Sequence, residues 1–74
     1  MSILGRMTAD DRRRAADAFD DFQATLAAAG LTLPSAGVDW RSAQTTGVVL
    51  IDLGAVRADV VERLTDLVRR GLGR

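Results

Sequence analysis

The sequence predicts a small α+β domain in which an antiparallel hairpin packs on two amphipathic helices, in the order helix, strand, strand, helix. Two segments repeat apolar residues at helical spacing, around Phe19 and around Leu64, and each has charged residues on its remaining faces. Between them, Val48-Val49-Leu50-Ile51-Asp52-Leu53 is apolar in five positions of six without alternation, which marks a strand with two greasy faces. The chain is one domain, residues 1–74.

The first helix is expected over about residues 8–29. Thr8 supplies an N-cap hydroxyl, and Asp10 and Asp11 place carboxylates in the first turn, where unpaired N–H groups and the helix dipole favour them. Ala15, Phe19, Phe22, Leu26 and Ala29 then fall on one stripe, with Ala18 beside it. Gly30 follows as a left-handed stop, and Leu31 is placed to fold back on the last turn as in a Schellman motif.

Pro34, the only proline, opens a linker in which helix cannot continue. A strand is expected over about 37–41, around Trp40, followed by a polar hairpin loop from Ser42 to Gly47. The second strand, about 47–53, has β-branched content and a length that favour strand over helix. The second helix is expected over about 56–70, with Val56, Val60, Leu64, Leu67 and Val68 on one face. Asp59 with Arg63 and Asp66 with Arg70 are i,i+4 pairs in the favourable order. Gly71 marks the stop, leaving Leu72 to Arg74 as a frayed tail. Ahead of Thr8, Met1, Ile3, Leu4 and Met7 either cover apolar surface or stay free.

A chain of 74 residues sits near the size at which one hydrophobic core supplies only about 3 to 5 kcal/mol. Disulfides, a metal or a second subunit usually make up the difference. With no Cys and no His, disulfides and zinc of the usual kind are removed, so association between copies is the remaining staple. The strand points the same way. Alternation sends Val48, Leu50 and Asp52 to one face and Val49, Ile51 and Leu53 to the other, and if both helices cover one face, the other trio needs a second surface. A lone two-stranded hairpin is marginal in water, whereas two copies would complete a four-stranded sheet. A homodimer joined through the sheet is therefore expected, with Trp40, Val48, Val49, Leu50 and Ile51 as the residues for a dimer or protein-partner interface.

Ten basic and ten acidic residues cancel, so no global field draws the chain to nucleic acid or to an acidic membrane. Arg12, Arg13 and Arg14 form the only basic run and are the residues a phosphate backbone would touch. Asp10, Asp11, Asp17, Asp20 and Asp21 surround them, and Arg13 with Asp17 is an i,i+4 pair, so the pattern reads first as a salt-bridged, solvated face. Arg69, Arg70 and Arg74 suit a helix C-terminus without further role. Asp17, Asp20 and Asp21 have the spacing to hold Mg²⁺ through water, but such a site needs a second ligand-bearing element and a substrate cavity.

Catalysis has little to work with. The hydroxyl residues have no His, Lys or Cys to activate them, and among carboxylates only Asp52 is embedded in an apolar run. Even there, an edge-strand role or a bond to a backbone N–H is the expected use. No cofactor is expected, and no window approaches the roughly 20 apolar residues of a membrane span. The Ala, Arg, Asp, Val and Gly bias with no Lys matches a GC-rich bacterial genome, and a cytoplasmic location is expected. The sequence thus predicts a non-enzymatic regulator, adaptor or antitoxin-like module. A small nucleic-acid-binding regulator using the Arg clusters is the alternative.

Overall fold

The computed structural model describes residues 8–73, so Met1, Ile3, Leu4, Met7 and Arg74 lie outside the described residues. It is a small α+β domain with the order α1 (Ala9–Ala28), β1 (Gly37–Asp39), α2 (Trp40–Thr46), β2 (Leu50–Asp52) and α3 (Ala58–Gly73). Among the described residues no helix is long and apolar enough to cross a membrane.

Local chemistry fixes both ends of α1. Thr8 Oγ1 accepts the Asp11 N–H at 3.0 Å, and the Asp11 carboxylate accepts the Thr8 N–H at 3.2 Å, a capping box that satisfies two orphan donors. At the other end the Leu31 N–H reaches the Leu26 carbonyl and the Gly30 N–H the Ala27 carbonyl, both at 2.9 Å, with Gly30 at φ +79°. That is the Schellman motif, and it turns the chain back so that Leu31 lies over the last turn. The expected stripe faces inward: Ala15, Phe19, Phe22 and Ala29 are half-buried and Leu26 is buried. The Leu33 carbonyl accepts the Ala36 N–H at 3.1 Å across Pro34 and Ser35, a β-turn with proline where its fixed φ fits, which delivers the chain to β1.

β1 and β2 are antiparallel, with Gly37 opposite Asp52, Val38 opposite Ile51 and Asp39 opposite Leu50. The connection between them differs from the expected loop. Trp40 and Arg41, expected in a strand over 37–41, begin a helix, and Ser42 to Thr46 continue it. The Asp39 carboxylate accepts the Arg41 N–H at 3.1 Å as an N-cap, and Gly47, at φ +77°, closes the helix by donating its N–H to the Ala43 carbonyl. The two caps bracket α2, and Ala43, with no exposed surface, seats it on the domain. β2 is shorter than the expected 47–53, because Val48 and Val49 pair with no strand. α1 lies against β1, and α2 against β2.

α3 begins at Ala58, two residues after the expected start, and runs through Gly71 to Gly73. The Arg57 carbonyl accepts the N–H groups of Val60 and Val61, both at 3.1 Å. Of the two expected i,i+4 pairs, Asp66 with Arg70 forms at 3.1 Å, while Arg63 turns to Asp66 and Asp59 to Arg57. These ion pairs are exposed and settle orientation more than stability.

The full core among the described residues consists of Leu26, Leu33 and Ala43. The turn between β2 and α3 closes tightly over the linker: a Cβ on Gly54, at φ +73°, would lie 2.5 Å from Ser35 Cβ and 2.9 Å from the Ser35 carbonyl oxygen. Gly30 shares the positive φ but has open space around it. Gly54→Ala is therefore expected to destabilise by about 2 kcal/mol or more and Gly30→Ala by about 1 kcal/mol, the difference being the clash with Ser35. Urea unfolding of both variants checks this, and equal losses would contradict the close approach.

Candidate functional site

The five interface residues expected from sequence do not share one environment. Trp40 is 41% exposed at the first position of α2, and Val48 and Leu50 are 57% and 52% exposed, while Val49 and Ile51 are half-buried. The period of two along the chain thus holds where it was expected, with Val48, Leu50 and Asp52 outward and Val49 and Ile51 inward. Leu53, on the inward side by alternation, is also exposed.

The backbone around this surface is held by two hydroxyls of α2. Ser42 Oγ lies 2.8 Å from the Asp39 carbonyl and 3.0 Å from the Val48 carbonyl, and accepts the Leu50 N–H at 3.0 Å. Thr46 Oγ1 accepts the Val48 N–H at 3.1 Å and lies 2.9 Å from the Ser42 carbonyl. An extended chain adding to a sheet edge needs free backbone donors and acceptors. At the start of β2 the Val48 carbonyl and the N–H groups of Val48 and Leu50 are already engaged, so contact there falls to side chains.

Trp40 also borders an open hollow of about 520 Å³ that includes Ser35, Asp39, Arg41 and Asp52. Its two carboxylates are committed to backbone: Asp39 caps α2, and Asp52, exposed, accepts the Gly54 N–H at 2.8 Å. Within a single copy Asp52 therefore has no apolar enclosure. Among the described residues no group of three or more Asp, Glu, His or Cys side chains gathers as a metal site, and Asp17, Asp20 and Asp21 are all exposed along α1. Arg12, Arg13 and Arg14 are exposed too, and the expected pair between Arg13 and Asp17 does not form.

The spacing of Val56, Val60, Leu64, Leu67 and Val68 predicts one core-facing stripe. Val56, just ahead of α3, and Val60, Leu64 and Leu67 are half-buried, but no residue of α3 is buried, and Val61, Val68 and Leu72 are exposed. Val61, Leu64, Thr65, Val68 and Arg69 line a shallow groove along it. The signal was present in the adjacent pairs Val60-Val61 and Leu67-Val68. At 100° per residue, Leu67 to Leu72 spans an arc of roughly 140°, wider than one packing surface covers.

The chain matches no protein-family model, no curated protein and no solved structure.

Ser42 is the residue on which the exposed surface depends. Ser42→Ala leaves the Leu50 N–H and the Val48 carbonyl without this partner and is expected to cost about 1 to 2 kcal/mol, measured by urea unfolding. Faster amide exchange at Leu50 than at Ile51 in that variant would identify the cause. No change at Leu50 would contradict it.

Proposed function

We propose that the chain is a small non-enzymatic interaction module, of the regulator, adaptor or antitoxin-like kind, that works as a homodimer. Trp40, Val48 and Leu50 on the sheet side serve as its contact surface for protein. The observation that carries this reading is the imbalance between a full core of Leu26, Leu33 and Ala43 and large apolar side chains left exposed beside the sheet and along α3. Apolar surface of this extent on so small a domain favours association. The lack of His, Cys and Lys supports the non-enzymatic reading.

Light scattering behind size exclusion tests the dimer. A mass that rises towards twice the 7.9 kDa of the chain as protein increases from micromolar to hundreds of micromolar is expected, and a single-chain mass up to millimolar protein would overturn the reading.

A second reading rests on Arg12, Arg13 and Arg14, which are exposed and outside every ion pair among the described residues. As a nucleic-acid contact this run predicts duplex DNA binding that weakens steeply as salt rises. The neighbouring aspartates oppose it, and the expected result is no binding even at low salt. Binding that is lost in the triple Arg→Ser variant would favour the second reading over the first.

A further inference from the structure

We infer that the two copies join through α3, paired antiparallel with the α3 of the partner. This inference rests on the homodimer reading and moves the joint from the sheet, where the strand pattern puts it, to α3, leaving the Trp40 side free for another protein. A twofold interface must be complementary to itself, so each feature on one copy has to meet its complement after reversal.

The exposed face of α3 has that property. Val61, Leu64 and Val68 form an apolar seam, and Thr65 between them has its hydroxyl engaged with the Val61 carbonyl at 2.9 Å, so it adds no unsatisfied polar group. Val60 and Leu67, on one side of the seam, are half-buried within the chain. On the other side stand Glu62 and Arg69, seven residues apart and hence two turns apart on the same flank.

The charges of α3 sort by position. Asp59, Arg63, Asp66 and Arg70 are all ion-paired within the chain, Asp59 with the preceding Arg57. Glu62 and Arg69 are exposed and belong to no ion pair among the described residues. Reversing a second α3 about an axis near Thr65 and Asp66 sets Glu62 beside the partner's Arg69 and Arg69 beside the partner's Glu62. A parallel pairing puts this flank on opposite sides of the seam in the two copies, so Glu62 and Arg69 form neither contact and contribute nothing to it. Four helical turns reach only the lower end of specific interfaces, about 1,200 Å² in total or less, so the dimer is expected to be reversible with micromolar dissociation.

Sedimentation equilibrium on the full chain tests this with Glu62→Arg, Arg69→Glu, the double variant carrying both, and Val68→Asp. All three positions are exposed, and circular dichroism checks that each variant folds. Each single charge variant turns two attractions into two repulsions and should raise the dissociation constant about tenfold or more, while the double variant should return to within about threefold of the parent. Val68→Asp should abolish the dimer. If the single variants weaken the dimer and the double variant does not restore it, the antiparallel pairing is wrong. A dimer unaffected by all four variants would place the seam elsewhere and leave the homodimer reading intact. A parent chain that stays monomeric throughout would remove both.

Discussion

Burial is the scarce quantity in this molecule. With Leu26, Leu33 and Ala43 as the full core among the described residues, the domain relies on half-buried stripes on α1 and α3 and on backbone groups closed locally by hydroxyls, carboxylates and glycines. The capping box at Thr8, the Schellman turn at Gly30, the Asp39 cap and the Ser42 hydroxyl each satisfy polar backbone without drawing on the core. Each fixes the direction of one element, yet none hides apolar surface from water. The exposed residues beside the sheet and along α3 follow from that division of labour, and they are what the proposal of association rests on.

Much of this was legible in the sequence, because the deciding chemistry is local. Thr8, the aspartates after it, the Ala15 to Ala29 stripe and Gly30 specify α1 and both its ends without reference to the rest of the chain. The alternation held within β2, from Leu50 to Asp52, since a period of two follows from strand geometry, and it failed at Leu53 just past the strand's end. α2 was not legible as a helix, because seven residues cannot display a 3.6-residue period and Ser, Gln and Thr are as common in loops. Its only sequence marks were its caps, Asp39 ahead and Gly47 behind. The aspartate read equally as strand, because β1 ends on the residue that caps the helix.

The candidate site was half legible. Trp40, Val48 and Leu50 are exposed as an interface needs, while Val49 and Ile51 turn inward, and a strand apolar on both faces gives no means of choosing between the trios. The exposed face of α3 was missed because Val68 shares the expected stripe with Val60, Leu64 and Leu67, and nothing in the spacing marks it as the residue that turns outward. Only the packing shows that the domain covers one edge of that wide face. The unpaired charges beside it, Glu62 and Arg69, were also indistinguishable in sequence from Arg63 and Asp66, which find partners within the helix.

On the homodimer proposal, folding and association are coupled. Equilibrium urea unfolding of the unmodified chain at two protein concentrations about a hundredfold apart addresses this coupling most directly, because only an associating fold has a midpoint that depends on concentration. Coupling adds about 2.7 kcal/mol per dimer over that range, which raises the urea midpoint by roughly 1 M. A cooperative transition at the same midpoint for both concentrations would show that association adds nothing to the stability of the fold, and would contradict the account.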